Sequence, residues 1–275
     1  MLEPGEVKLP RDKPLAQMAN AMALVPNTGK LSHTQVRTQQ LIESLKYIEN
    51  LHPRISLVMH RLSCVMSSPP PEAYVVAQAA LAAVYAERHA GITYGGAGMS
   101  AGPRFSAAIA AHIDLNEPAP ATLEAHADAN WGDRNVYAIV LTMGGGCILY
   151  VVKKIQLLTM TTMENEAVAT GKAAEQVTFA REIQRAMGIK IDGPTLIGTN
   201  NLANRIVGSG VGCPSRSKHF LHRYHVLMQR VRAGDVILRH VGDAQMAADF
   251  MTKWVNPTKL KMSLRYVCNS WAHPE

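Results

Sequence analysis

The sequence is poor in cysteine, aromatic residues and long apolar runs, and each shortage excludes a class of protein. Its 275 residues include four cysteines and 5% aromatic side chains. The cysteines form no C-x-x-C pair, so a structural zinc site is not expected. No uncharged apolar run reaches the roughly 18 residues that a transmembrane helix needs, so no membrane partner is expected. The opening MLEPGEVKLPRDK lacks the apolar core of a signal peptide. We therefore expect an intracellular protein, cytoplasmic or nuclear and not secreted.

Basic residues are in excess, with a net charge of +7 and a pI of about 9.3. The excess is concentrated in residues 214–265, which hold ten Lys and Arg against three Asp. This imbalance is typical of a surface that contacts a phosphate backbone, and a solvated basic surface is the alternative interpretation. Nucleic acid is the partner class that the charge favours.

Composition divides the chain into four stretches. Residues 1–31 are polar, proline-punctuated and without periodicity, which predicts a linker or a loosely ordered segment. Residues 32–95 contain three stretches with apolar residues at helical spacing, which predict a small helical segment. Residues 96–123 are rich in Gly, Ala and Pro and predict a second linker. Residues 124–268 predict a single α/β domain.

The α/β region predicts a sheet with helices packed against it. Extended segments are predicted at residues 125–131, 136–143, 147–152, 157–162, 195–198 and 236–241. Helices are predicted at residues 161–188, 201–207, 218–231 and 244–254. The segments 136–143 and 147–152 are expected to form a hairpin around the glycines between them. Antiparallel strands followed by alternating helix and strand indicate a mixed sheet.

Three acidic residues, far apart in the chain, are candidates for a metal site. Asp128 lies in the first predicted strand, Glu166 near the start of the long helix and Asp249 in the last predicted helix. Phosphodiester hydrolysis needs an oxygen nucleophile and neutralisation of charge, and two divalent cations held by carboxylates supply both. Asp128 is also consistent with a turn, and Glu166 with a favourable interaction at a helix N-terminus. An unpartnered Asp249 among apolar neighbours would be costly.

Six motifs, in order, resemble the ribonuclease H domain of copia-type retrotransposon Pol polyproteins. They are HADANWGD, TMGGGCILYVVKK, LLTMTTMENEAVA, GTNNLAN, SRSKHFLHRYH and LRHVGDAQMAADFMTK. The upstream stretch SLKYIENLHPRISLVMHRLSCVMSSPPPEAY is similar to the segment that joins reverse transcriptase to ribonuclease H in those polyproteins. The resemblance covers about residues 36–268, and reverse transcriptase is a further partner that it implies.

The resemblance implies a ribonuclease H-like fold, a mixed five-stranded sheet with flanking helices. It also implies hydrolysis of the RNA strand of RNA–DNA hybrids at a two-metal site holding Mg²⁺ or Mn²⁺. Asp128, Glu166 and Asp249 match three of the four acidic metal ligands of the family, and the fourth position falls on Asn200. Asparagine offers one neutral carbonyl oxygen in place of a carboxylate. We therefore expect the catalytic set Asp128, Glu166, Asn200 and Asp249 to bind metal more weakly, with hydrolysis severely reduced or absent.

Three further residues match the family at positions expected to bind nucleic acid, and one residue differs from the family pattern. Arg216, Lys218 and His219 match a family motif and are expected to contact phosphate, with solvated side chains as the alternative. Asn130 stands where the family usually has an aspartate that is not a metal ligand. Two functions stay open: a hybrid-specific ribonuclease, and a non-catalytic retroelement remnant that binds nucleic acid. Another nuclease or an integrase is a weaker third, because the fold alone does not fix the function.

Overall fold

The computed structural model describes residues 15–22, 29, 31–94, 123–131, 135–210 and 224–269. The chain divides into two compact units, residues 1–91 and residues 92–275. We call them the helical unit and the sheet unit. The four-part division expected from composition stays a prediction.

The helical unit packs helices around an apolar core. Its helices are α1 (Leu15–Asn20), α2 (His33–Glu49), α3 (Ser56–Val65) and α4 (Pro71–Ala86). A short 3-10 helix, Pro53–Ile55, precedes α3. The core includes the fully buried side chains Ile42, Leu45, Met59 and Leu62.

Local signals set the starts of these helices. The Ser32 hydroxyl accepts a hydrogen bond from the Gln35 backbone N–H, and the Gln35 side chain accepts one from the Ser32 N–H. This reciprocal capping box begins α2. Helix α1 lies inside the stretch expected to be loosely ordered, yet its Ala19 is fully buried in the core. A helix of six residues is too short to show a clear periodicity in sequence.

The sheet unit is built on a mixed five-stranded sheet. Its strands are β1 (Leu123–Ala129), β2 (Val136–Met143), β3 (Gly146–Lys154), β4 (Thr195–Thr199) and β5 (Val236–His240). Their order across the sheet is β3-β2-β1-β4-β5. Strand β2 pairs antiparallel with both β1 and β3, whereas β4 pairs parallel with both β1 and β5. The predicted mixed α/β sheet is confirmed.

Helices cover both faces of this sheet. They are α5 (Thr162–Ala186), α6 (Leu202–Gly208), α7 (His225–Arg232), α8 (Asp249–Thr252) and α9 (Pro257–Cys268). One face, which includes Ala127 of β1, packs against α5, α6 and α7. The opposite face, which includes Val140 of β2, packs against Phe250 of α8 and Val267 of α9. Each helix in the described ranges is too short or too polar to cross a lipid bilayer.

The hairpin between β2 and β3 has the predicted glycine turn. Gly144 and Gly145 have φ angles of 61° and 82°. A two-residue hairpin turn with positive φ at both positions favours glycine, because glycine has no Cβ to clash. The next residue, Gly146, has no room for a Cβ, which would collide with the Thr93 carbonyl oxygen.

The segment Ile92–Tyr94 belongs to the sheet unit. The Thr93 N–H donates a hydrogen bond to the Cys268 carbonyl oxygen at 2.9 Å. The Tyr94 hydroxyl donates one to the Cys147 carbonyl oxygen at 2.8 Å. The sheet unit therefore includes residues that precede the second predicted linker.

Two predicted elements are wrong. The run 157–162 is not a strand, and Leu157 and Leu158 are 54% and 89% exposed before α5 begins. The predicted helix 244–254 is broken into a 3-10 helix, Asp243–Gln245, and the single turn of α8. The break occurs at Met246, whose backbone is extended with a ψ of 103°.

Candidate active site

Two of the predicted acids lie together at the end of β1. Asp128 is the next-to-last residue of β1, and Glu166 is the fifth residue of α5. They are 1% and 3% exposed. Glu166 accepts a hydrogen bond from the backbone N–H of Ala129, which follows Asp128 in the strand. Burial, reinforced by the neighbouring Asp128 charge, raises the pKa of Glu166 to about 9.

Asp128 is held by a neighbouring hydroxyl and faces a basic side chain. The Thr252 hydroxyl, at the end of α8, donates a hydrogen bond to Asp128 Oδ2. Burial raises the pKa of Asp128, while the Lys253 ammonium and the Thr252 hydrogen bond oppose that rise. Asp128 Oδ1 and Glu166 Oε2 are buried without a hydrogen-bond partner. The pair thus has two oxygen atoms able to accept a further positively charged group.

The third predicted acid is joined to this pair by lysine. Asp249 is the first residue of α8 and is 1% exposed. Lys253 Nζ lies 3.0 Å from Asp249 Oδ1 and 3.8 Å from Asp128 Oδ1. Lys259, from α9, forms an ion pair with Asp249 Oδ2. Asp128, Glu166 and Asp249 are therefore members of one buried charge network.

The fourth predicted position lies at the outer side of that network. Asn200 directly follows β4, and its side-chain N–H donates a hydrogen bond to Asp243 Oδ1 at 3.1 Å. The Lys259 ammonium donates to the backbone oxygen of Asp243 and is also paired with Asp249. Asp243 thereby connects Asn200 to the other three positions. Sequence reasoning missed Asp243, because no local motif singles it out.

Asn130, directly after β1, forms hydrogen bonds with three other elements beside the acids. Its side-chain oxygen accepts a hydrogen bond from the Val136 N–H at 2.7 Å, and its amide donates to the Thr252 carbonyl oxygen at 3.1 Å. Its backbone oxygen accepts from the Asn165 side chain at 2.6 Å. A carboxylate in place of Asn130 could not donate to the Thr252 carbonyl oxygen. The asparagine at this position is thus a structural link between β1, β2, α5 and α8.

The carboxylate oxygens of Asp128, Glu166 and Asp249 are chemically suited to a hard divalent cation, but lysine side chains are paired with two of these acids. Carboxylate oxygens are the ligands that Mg²⁺ and Mn²⁺ prefer. Within the described ranges, no three His, Cys, Asp or Glu residues are gathered closely enough to hold a metal ion as they stand. Glu166 Oε2, which has no hydrogen-bond partner, and Asp128 Oδ1, which lies 3.8 Å from the Lys253 ammonium, nevertheless fit a cation. Binding would require the ammonium groups of Lys253 and Lys259 to move away from Asp249.

The predicted phosphate-binding residues Arg216, Lys218 and His219 lie outside the described residues. Their contact with phosphate stays a prediction. In the described part of the basic region, Arg230 pairs with Asp235 at 3.4 Å, and Lys253 and Lys259 pair with Asp249. Some of the basic residues of this region therefore form ion pairs with acids of the sheet unit.

Comparison with known sequences identifies retrotransposon relatives. No family model matches the chain. The retrovirus-related Pol polyproteins from transposons RE2 and RE1 of Arabidopsis thaliana are each 23% identical to it, over 248 and 224 residues. The predicted resemblance to copia-type Pol polyproteins is confirmed. The alignments cover 88% and 79% of this chain, which spans only 16% and 14% of those polyproteins.

Solved structures similar to this chain include ribonucleases H. LC11-RNase H1 in complex with RNA/DNA hybrid is 18% identical, with a TM-score of 0.35, and the match covers 47% of this chain and 93% of that chain. RNase H1 from the archaeon Halobacterium salinarum NRC-1 is 17% identical, with a TM-score of 0.35, and covers 46% and 90%. The order of the five strands and their directions define the fold.

Proposed function

We propose that the sheet unit is a metal-dependent ribonuclease that hydrolyses the RNA strand of RNA–DNA hybrids, with turnover reduced by Asn200. The observation that supports this most strongly is the buried pair Asp128 and Glu166, which shares one charge network with Asp249 and in which Glu166 Oε2 has no hydrogen-bond partner. The similarity to Pol polyproteins adds support and suggests a reverse transcriptase partner in a longer chain. Such a protein would act inside the cell, in the cytoplasm or nucleus.

Asp128, Glu166 and Asp249 are the residues that would hold Mg²⁺ or Mn²⁺. The metal would supply a water nucleophile at neutral pH and neutralise charge on the phosphate. The Thr252 hydroxyl and the Ala129 N–H orient the inner two carboxylates. Lys253, whose side chain is 45% exposed, balances the acids and has enough freedom to turn toward a phosphate group.

Asn200 is the reason to expect low turnover. A neutral amide oxygen attracts a divalent cation less strongly than a carboxylate does. In addition, the Asn200 amide nitrogen faces Asp243, so the residue acts as a hydrogen-bond donor in this structure. The site thus lacks a negative charge at the fourth family position.

The direct test is cleavage of an RNA–DNA hybrid labelled on its RNA strand, with Mg²⁺ or Mn²⁺. We expect slow cleavage by the natural chain, none by Asp128→Asn, and a rate at least about tenfold higher for Asn200→Asp. Asp128→Asn is the matched negative control, because it makes the reverse chemical change, acid to amide, at a retained acid. Robust cleavage by the natural chain, without a gain in Asn200→Asp, would contradict the proposed impairment.

A non-catalytic, nucleic-acid-binding remnant is the second candidate. It is favoured by Asn200 and by the two lysines that pair with Asp249. Fluorescence anisotropy with a labelled hybrid, in EDTA, measures binding, and the cleavage assay with Mg²⁺ or Mn²⁺ then separates the two functions. Tight hybrid binding without cleavage, in both the natural chain and Asn200→Asp, would establish the remnant and exclude the ribonuclease.

A further inference from the structure

We infer that Trp131 and Trp254 form a stacking surface that binds the unpaired bases of single-stranded nucleic acid. The surface lies beside the acidic network, and binding to it requires neither a metal ion nor cleavage. The inference goes beyond the proposed function, because it assigns a second binding activity that the chain would have even without catalysis.

Both tryptophan side chains are exposed, although an indole ring is one of the largest apolar groups in proteins. Trp131 is 57% exposed and Trp254 is 43% exposed. Trp131 lies two residues after the end of β1, and Trp254 lies two residues after the end of α8. A single exposed apolar side chain needs no explanation, whereas two large aromatic ones beside the same site indicate a contact surface.

Asn130 brings the two tryptophans into the same region. Its side-chain amide donates a hydrogen bond to the Thr252 carbonyl oxygen at 3.1 Å. Asn130 directly precedes Trp131, and Thr252 lies two residues before Trp254. Because consecutive Cα atoms are about 3.8 Å apart, the Cα atoms of the two tryptophans are at most roughly 20 Å apart. That distance is within the span of the roughly 4 to 16 nucleotides that a small single-strand-binding fold holds.

Two exposed lysines beside the tryptophans suit a polyanionic partner. Lys253 directly precedes Trp254, and its side chain is 45% exposed. Lys154, the last residue of β3, is also exposed and is paired with Val136, whose N–H donates a hydrogen bond to the Asn130 side chain. Each lysine thus adjoins a hydrogen-bond partner of Asn130. Positive charge at this place, in a chain with a net charge of +7, favours contact with phosphate groups.

Aromatic rings next to lysines favour a single strand over a duplex and over a protein partner. In a duplex, each base is already stacked between its neighbours, so its flat faces are closed to an indole ring. In a single strand these faces are open and stack on aromatic side chains, while lysines contact the phosphate groups. Lysine is depleted at protein interfaces, so its presence beside both tryptophans favours nucleic acid.

The experiment is fluorescence anisotropy of a labelled oligothymidylate with the full chain, in EDTA, so that neither a metal ion nor cleavage contributes. We expect Trp131→Ala and Trp254→Ala each to weaken binding by about tenfold, because each removes one stacking contact. Trp254→Phe should lose less than about threefold, because a phenyl ring keeps an aromatic face. Binding by Trp254→Phe, with the circular dichroism of the natural chain in all variants, excludes unfolding as the cause of the losses.

Phe179→Ala is the matched control within the sheet unit. Phe179 is 64% exposed and lies in α5, thirteen residues after Glu166, which corresponds to about 20 Å of helix. Its loss should leave oligothymidylate binding unchanged. Blunt duplex DNA is the control ligand, and its affinity should fall by less than about twofold in the tryptophan variants. Lys154→Gln should weaken the binding of both DNAs to a similar extent, because both carry phosphate groups.

Several results would overturn the inference without touching the proposed cleavage. The natural chain would bind no oligothymidylate, or both alanine variants would bind it as the natural chain does. An equal loss in Phe179→Ala would indicate unspecific apolar contact, and an equal loss on duplex DNA would show that unpaired bases are not recognised. If the natural chain self-associates in sedimentation and Trp254→Ala makes it monomeric, the surface binds a second copy of the chain instead.

Discussion

The helical unit and the sheet unit bury different kinds of polar group. In the described residues of the helical unit, the buried polar or charged side chains are Thr38, Ser56, Arg61 and Ser68. The described part of the sheet unit buries four carboxylates, those of Asp128, Glu164, Glu166 and Asp249. Burying a carboxylate costs far more free energy than burying a hydroxyl group. The helical unit is thus organised for packing, whereas the sheet unit keeps destabilising acids near the end of β1.

Loss of an inner acid should have the largest effect. We expect Asp128→Asn to weaken Mn²⁺ binding by at least about 100-fold, because it removes a charged ligand from the buried pair. Glu72→Gln, at an exposed acid in the first turn of α4, should leave binding unchanged. Titration calorimetry on both variants measures the difference. Equal losses of Mn²⁺ affinity in the two variants would show that an exposed acid of the helical unit matters as much as a buried acid of the sheet unit.

Asn130→Asp should destabilise the sheet unit by about 2 kcal/mol. The change removes the donor to the Thr252 carbonyl oxygen and places a carboxylate close to that oxygen. All three tryptophans of the chain lie in residues 92–275, so tryptophan fluorescence during urea unfolding follows the sheet unit alone.

Asn256→Asp is the matched control for this measurement. Asn256 caps α9 by accepting a hydrogen bond from the Lys259 N–H, and an aspartate can accept the same bond. The urea concentration at the unfolding midpoint of Asn256→Asp should match that of the natural chain. A similar loss of stability in both variants would show that Asn130 has no special structural role.

Lys259→Met should strengthen Mn²⁺ binding by about tenfold, since it removes an ammonium group that competes for Asp249. Lys261→Met, at an exposed position two residues further along α9, makes the same change in net charge. Titration of both variants separates local competition from a general effect of charge. Weaker binding in Lys259→Met would show instead that the lysine supports the site.

The smallest expected effect depends on pH and occurs in both units. Burial raises the pKa of Glu49 in α2 and of Glu124 in β1 from 4.5 to about 7. Their stabilising contribution is therefore complete below pH 4.5 and is lost as the pH rises through 7, where these half-buried carboxyl groups ionise. Glu124→Gln should flatten this decline when unfolding is followed by tryptophan fluorescence, which reports on the sheet unit. Glu49→Gln should flatten it when unfolding is followed by circular dichroism, which reports on the helices of both units. An unchanged pH dependence in either variant would contradict the assignment for that residue.

The features predicted well from sequence are those with local signals. Strand β2 has the bounds predicted for it, and the glycine turn after it is present. Helix α5 begins directly after Thr161, whose hydroxyl accepts a hydrogen bond from the Glu164 N–H. Turn glycines and capping residues act on their near neighbours, so their effect can be recognised without knowledge of the fold.

The features missed depend on contacts between distant residues. Asp243 meets Asn200 only because β4 and β5 are parallel neighbours, which no pattern near either residue indicates. The apolar pair Leu157 and Leu158 suggested a strand, but an apolar side chain is not always buried, and here both are exposed. The acids Asp128, Glu166 and Asp249 were identified as candidates through a family resemblance, and their identity as metal ligands stays a prediction.

The contact of Thr93 and Tyr94 with the β2–β3 hairpin has a practical consequence for dividing the chain. A shortened protein that began at Glu124, the predicted domain boundary, would lose the hydrogen bonds to Cys147 and Cys268. It would also lose the close packing of Thr93 and Tyr94 against Gly146. A minimal fragment of the sheet unit should start no later than Ile92, and proteolytic separation of the two units without damage to the sheet would have to cut before Ile92.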